Sequence, residues 1–154
     1  MQATNSFQIY RKGVNPGIYV SRKDLVGNHC ITTFDLRFMR PNEEMPMSTA
    51  GIHTIEHIGS IYLRSLSSFA DRVIYFGPMG CRTGFCLILN GNFQSDDIST
   101  DIIKMCNFII MHHGQVPGAS EKECGNYLDH SSEDARLYAI TYGDRLRNEP
   151  CYIA

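Results

Sequence analysis

A chain of 154 residues is within the range of one domain and long enough to bury a core without disulfide or metal staples, so one domain over residues 1–154 is expected. Lys and Arg number 14 against 16 Asp and Glu, and no basic cluster carries interleaved aromatics, which argues against nucleic acid as a partner. Met1-Gln2-Ala3-Thr4-Asn5-Ser6 lacks a charged start followed by an apolar stretch, and no apolar run approaches the roughly 20 residues of a membrane span, so a soluble cytoplasmic protein without a membrane partner is expected.

Residues 30–39 alternate, with Phe34, Leu36 and Phe38 on one side and Thr33, Asp35 and Arg37 on the other. That is the period of a half-buried strand, and it turns Arg37 away from the apolar side. Pro41 ends the strand. From about residue 48 to 69, Ile52, Ile55, Ile58, Tyr62, Leu63 and Leu66 follow a helical period. Residues 73–76 and 85–89 read as two further strands. Between them lies a loop, 77–84, whose three glycines allow a tight backbone and whose centre is Cys81. Ile98, Ile102, Met105, Cys106, Ile109 and Ile110 mark a second amphipathic helix, capped near Ser95 and ended by Gly114. A third runs from about 132 to 147, with Ala135, Tyr138, Ala139 and Tyr142 on one stripe. Strands in hairpin-like order with helices across one face predict an α+β domain on a mainly antiparallel sheet.

The run His53-Thr54-Ile55-Glu56-His57 rides on the first helix. Side chains four positions apart share a face, about 40° apart in azimuth and roughly 6 Å along the axis. Two imidazoles so placed can close on one metal ion, with Glu56 pointing the same way. This is the H-x-x-E-H order, short enough to arise by chance. Two His leave a metal short of ligands, and Cys124, in Ser120-Glu121-Lys122-Glu123-Cys124-Gly125, is the candidate third donor. Ser120 and Glu123 have capping-box spacing, and Gly125 lets the backbone turn beside the thiol. A His₂Cys set leaves one coordination position open, the catalytic pattern, whereas a packed inert thiol is the plainer reading of a lone Cys.

The six cysteines, at 30, 81, 86, 106, 124 and 151, include no C-x-x-C pair, which argues for reduced thiols. Cys30, Cys86 and Cys106 fall in apolar patterns and read as core. Loop amides and the adjacent Arg82 would favour a thiolate at Cys81, making it a proton acceptor or nucleophile. His112 and His113 point about 100° apart on a helix and suit its C-terminal end rather than one metal. His29 and His130 have no partner visible in the sequence and read as surface or core residues. Glu56 suits a base on water in a hydrolase, a proton shuttle in an isomerase or lyase, or a carboxylate that orients an imidazole. Spacing does not choose among these.

Five separated blocks carry a more specific signal: Ser6-Phe7, Phe34-Asp35-Leu36-Arg37-Phe38, His53 to His57, Pro78-Met79-Gly80-Cys81-Arg82-Thr83-Gly84, and Glu121 to Gly125. In order and spacing, over nearly the whole chain, they resemble the S-ribosylhomocysteine lyase family, the LuxS proteins. The resemblance implies a homodimeric α+β metalloenzyme that splits the thioether of a small-molecule substrate, S-ribosylhomocysteine. Its products would be homocysteine and 4,5-dihydroxy-2,3-pentanedione, the precursor of the quorum-sensing signal autoinducer-2. By family pattern His53, His57 and Cys124 match the ligands of one divalent metal, natively Fe2+ and replaceable by Zn2+ or Co2+. Glu56 and Cys81 match the acid/base pair. Ser6 and Arg37 match substrate-contacting positions that reach across the dimer interface. After Ser6-Phe7 the family continues to an Asp-His pair whose His contacts substrate; this chain has Tyr10-Arg11, and Arg11 stands at that position, charged and unable to act as a neutral acid/base.

The implied chemistry suits these residue types. A thioether at C5 of a ribose leaves readily only when a ketone stands at C3, which makes the C4 proton acidic and β to sulfur. The carbonyl must therefore migrate from C1 to C3, which needs a Lewis acid and bases that move protons between carbon and oxygen. Two alternatives compete: a metal-dependent hydrolase of the H-x-x-E-H type, and a non-enzymatic metal-binding relative of the lyase.

Overall fold

The computed structural model describes residues 13–149; Ser6, Tyr10, Arg11 and Cys151 lie outside them. Four strands, β1 (Gly17–Val26), β2 (His29–Arg37), β3 (Val73–Pro78) and β4 (Gly84–Asn90), form one antiparallel sheet in the order β1-β2-β4-β3. Three helices, α1 (Thr49–Ser65), α2 (Ser95–Met111) and α3 (Ser132–Asn148), complete the α+β fold. The helices pack against one another, α1 also against β3, and α2 and α3 also against β1. Phe34, Leu36, Phe85 and Leu87 from the sheet and Ile55, Ile58, Ile102, Met105 and Tyr142 from the helices share one buried core.

β1 is absent from the sequence reading. Its second half carries Arg22, Lys23 and Asp24, and a register shift between Val20 and Arg22 breaks the two-residue alternation. The usable signal lay in Gly27-Asn28, a two-residue turn that pairs Val26 with His29, with Gly27 at φ +59°. The alternation of β2 holds, but its polar side is not wet: Asp35 is 3% and Arg37 1% exposed.

The first helix is shorter than expected. Ser48 caps α1 by accepting from the Gly51 amide at 3.0 Å, and Leu66 and Ser67 both donate to the Tyr62 carbonyl as the helix closes. The Ser67 hydroxyl also takes up the Leu63 carbonyl, at 2.6 Å. In α2 the cap is Gln94, not Ser95: its side chain accepts from the Asp97 amide while Asp97 accepts from the Gln94 amide at 2.7 Å. That helix ends at Met111 with His112 as its C-cap, two residues before Gly114.

Two close approaches position the site. A Cβ on Gly51 would lie 2.7 Å from Tyr138 Cε2 and 2.8 Å from Asp134 Cβ, so the missing side chain lets the N-terminal turns of α1 and α3 meet. The Ser48 hydroxyl donates to Asp134 across that contact, at 2.6 Å. A Cβ on Gly84 would lie 2.6 Å from the Leu36 carbonyl oxygen, so this glycine serves the pairing of β4 with β2. The left-handed residue of the Cys81 turn is Arg82, at φ +58°, rather than one of the three glycines.

A candidate metal centre and a thiol station

His53 and His57 project from α1 with ring centroids 4.7 Å apart and planes at 87°. His53 Nδ1 is 2.9 Å from the Asp129 carbonyl and His57 Nδ1 is 2.7 Å from the Pro117 carbonyl. A carbonyl only accepts, so both rings carry their proton on Nδ1 and present the Nε2 lone pair. Cys124 arrives on a turn in which the Glu123 and Cys124 amides both donate to the Ser120 carbonyl and the Ser120 hydroxyl donates to Glu123 at 2.5 Å. The capping-box spacing thus builds a turn and no helix. The Cys124 sulfur lies 3.4 Å from His53 Nε2 and accepts from the Asn126 amide at 3.5 Å. Two tetrahedral ligands of one ion, a thiolate at about 2.3 Å and an imidazole at about 2.0–2.1 Å, stand about 3.6 Å apart, so this spacing fits a shared metal.

The structure adds a residue that sequence reasoning missed. His130, in the segment leading into α3, stacks on His53 with centroids 4.0 Å apart and planes at 21°, and stands edge-on to His57 at 4.8 Å. One ligand atom from each of His53, His57, Cys124 and His130 lies within 4.8 Å of the others, a group suited to a metal ion. The pairing follows from the α1–α3 approach: the Ser131 amide donates to the Ala50 carbonyl and to the Thr54 hydroxyl, laying residues 129–131 along α1. Burial, with the neighbouring His53 and His57 next in weight, holds the His130 imidazole below its ordinary range against the pull of Asp129. Glu56 is half-buried on the same helix, and its carboxylate makes no hydrogen bond or ion pair among the described residues.

The other sequence-predicted group, Cys81, is exposed in the turn between β3 and β4. Its sulfur is 3.1 Å from the Thr83 hydroxyl and 3.8 Å from Arg37 Nη1. Arg37 Nη1 also donates to Thr83 at 2.6 Å, which makes that hydroxyl an acceptor from Arg37 and frees its own proton for the Cys81 sulfur. Burial alone would raise the thiol. Hydrogen bonds from the Thr83 hydroxyl and amide, then the charge and hydrogen bond of Arg37, outweigh it and hold Cys81 below its ordinary 9.0. The expected role of Arg82 is corrected: it donates to the Met47 carbonyl at 3.2 Å, and Arg37 faces the sulfur instead, brought there by the pairing of Arg37 with Gly84.

Asp35 receives Arg37 Nη2 at 2.5 Å. Burial pushes the Asp35 carboxyl up, and the Arg37 charge and hydrogen bond restrain it. A pocket of about 850 Å³ opens beside Cys81 and Thr83 and is walled by the segment from Pro41 to Pro46. No hydrogen bond joins Cys81 to the imidazole cluster among the described residues.

Of the remaining histidines, His112 closes α2 with Nε2 3.1 Å from the Gln115 carbonyl. No helix among the described residues is long and apolar enough to cross a membrane.

The model of the family described as S-ribosylhomocysteinase (LuxS) matches residues 4–150. A protein named S-ribosylhomocysteine lyase from Clostridium acetobutylicum is 47% identical over 148 residues, covering 96% of this chain and 94% of the relative. One of the same name from Finegoldia magna is 48% identical over 148 residues with the same coverage. Another from Desulfotalea psychrophila is 45% identical over 150 residues, 95% of this chain and 94% of its own.

Proposed function

The chain belongs to the S-ribosylhomocysteinase (LuxS) family, and from that premise we propose that it is a metal-dependent carbon-sulfur lyase acting on S-ribosylhomocysteine. Its products are homocysteine and 4,5-dihydroxy-2,3-pentanedione, the precursor of autoinducer-2. The observation that carries this reading is the convergence of His53 and His57, each with Nδ1 tied to a carbonyl, on the Cys124 thiol.

His53, His57 and Cys124 would hold the ion, and borderline nitrogen with soft sulfur suits Fe2+, Zn2+ or Co2+. Following the family resemblance, Fe2+ is assigned as the native metal. When bound, it supplies Lewis acidity to neighbouring sugar oxygens. Proton movement falls to the protein. Cys81, favoured as thiolate by Thr83 and Arg37, and Glu56, which has no competing partner among the described residues, carry protons between carbon and oxygen as the carbonyl migrates. In the final step removal of the C4 proton forms the C4–C5 double bond as the C5–S bond breaks, and homocysteine leaves as thiolate.

Arg37 is buried and reaches Cys81, so its first duty is to hold that sulfur. The pocket walled by residues 41–46 offers room for substrate beside Cys81. Ser6 and Arg11 are assigned to substrate by the resemblance. The enzyme is placed as a homodimer with sites at the interface, which gives the Cys81 station and the imidazole cluster a way to serve one reaction. A cytoplasmic location is supported by the free thiols of Cys30, Cys81, Cys86, Cys106 and Cys124.

The test is thiol release from S-ribosylhomocysteine by protein purified without oxygen and loaded with Fe2+, beside Glu56→Gln. Release by the parent and at least a hundredfold less by the variant, at equal metal content, is expected. No release from a fully loaded parent would overturn the lyase. Sedimentation equilibrium should give twice the mass of one chain; a monomer at micromolar concentration would remove the shared site.

A further inference from the structure

His130 presents a lone pair that nothing in the described chain uses. The Thr54 hydroxyl donates its single proton to the Ala50 carbonyl at 2.9 Å, so it can only accept from its other neighbours. It accepts from the Ser131 amide at 3.0 Å and, by the same logic, from His130 Nδ1 at 3.1 Å. The proton of His130 therefore sits on Nδ1, and Nε2 is a bare acceptor. That atom is buried and has no hydrogen-bond partner among the described residues. A buried acceptor without a donor is unfavourable, and its satisfaction by a bound ligand is the simplest resolution.

Direct metal ligation does not fit. An imidazole binds an ion in its own ring plane, and His53 and His130 lie nearly parallel, 4.0 Å apart at 21°, so one ion cannot lie in both planes. Both rings stand edge-on to His57, but it is His53 whose Nε2 lies 3.4 Å from the Cys124 sulfur, which selects it over His130 as the ligand. His130 remains beside the centre with its acceptor free.

We propose that His130 Nε2 accepts a hydrogen bond from the O–H group of whatever ligand completes the metal centre, water in the resting enzyme and a sugar hydroxyl of the hydroxyketone substrate during turnover. The assignment rests on the lyase reading for the substrate but not for the acceptor itself. His130 thereby orients the ligand at the one position His53, His57 and Cys124 leave open. The Thr54 hydroxyl is its positioning residue, locking the tautomer through a bond whose own direction is set by the helix backbone.

Two variants separate this from packing. His130→Phe keeps the aromatic face against His53 and loses the lone pair; His130→Gln can return an amide oxygen near the Nε2 position. Each is loaded with Co2+ and compared with the parent by metal content, by visible spectrum without substrate, and by spectral titration with S-ribosylhomocysteine. One Co2+ per chain is expected in all three. The substrate-free spectrum of His130→Phe should differ from the parent, its half-saturating substrate concentration should rise at least tenfold, and His130→Gln should recover a large part of that loss. A His130→Phe protein matching the parent in spectrum and titration would reduce His130 to packing and overturn the proposal. Loss of Co2+ from His130→Phe with folding intact would make it a ligand and overturn it equally. An altered substrate-free spectrum in a protein whose parent releases no thiol would support the acceptor while sinking the lyase reading alone.

Discussion

The imidazole cluster and the thiol station are built by opposite means. Around His53 and His57 the orienting groups are main-chain carbonyls, Asp129 and Pro117, delivered by loops far along the chain. Around Cys81 they are the side chains of Thr83 and Arg37 beside the Thr83 amide, with Asp35 behind, and the register of β2 with β4 delivers Arg37. Carbonyls fix which nitrogen of each ring is free, as suits nitrogen atoms offered to one metal ion. A charged side chain and a hydroxyl shift an ionisation instead, as suits a group that must become a thiolate. The two regions can therefore be broken separately, and variants in one should leave the other intact.

The largest separation is expected from Cys124→Ala. Removing a thiolate from the set should cost at least tenfold in metal retention and lower the thermal midpoint, because an ion held only by the folded state stabilises it. Cys81 alkylation should be unchanged. Metal content equal to the parent, read by elemental analysis, would remove Cys124 from the centre.

Next in size is Asp35→Ala. It leaves the buried Arg37 guanidinium without its carboxylate, and breaking one side of a buried pair costs about 3 kcal/mol, on the order of 10 °C in thermal midpoint for a chain of this length. Metal content per folded chain should not move. A midpoint within a degree or two of the parent would show that the pair contributes little.

Thr83→Val probes the thiol station more finely. In the folded protein Cys81 ionises below its ordinary 9.0, so the thiolate exists in a window beneath that value. Losing the hydroxyl bond destabilises the thiolate and raises the midpoint of the alkylation-against-pH profile. The sign is the test: a midpoint that falls or stays would contradict the direction of the Thr83 bond inferred from Arg37.

How far this was legible in the sequence follows the same division. His53, Glu56 and His57 could be placed together because a helical period is local, and β2, β3, β4 and all three helices announced themselves by alternation or amphipathic spacing. His130 could not be placed, because what brings it to His53 is the missing side chain of Gly51, which lets two helix ends meet across a Ser48–Asp134 contact 86 residues apart in sequence. Cys81 was singled out by its loop, yet the obvious cation beside it, Arg82, was the wrong one. Chain neighbours diverge when one takes a left-handed conformation, whereas Arg37 arrives by cross-strand pairing that only the folded sheet reveals. β1 was missed because its charged half and bulge hide the alternation, although the Gly27-Asn28 turn that follows it offered a hairpin signal.

The most direct test of the division of labour is Cys81→Ala, with thiol release from S-ribosylhomocysteine and metal content measured on the same Fe2+-loaded preparation. The account predicts release abolished and metal content unchanged, because Cys81 moves protons and is not a ligand. Loss of the metal, or release at the parental rate from a loaded variant, would contradict it.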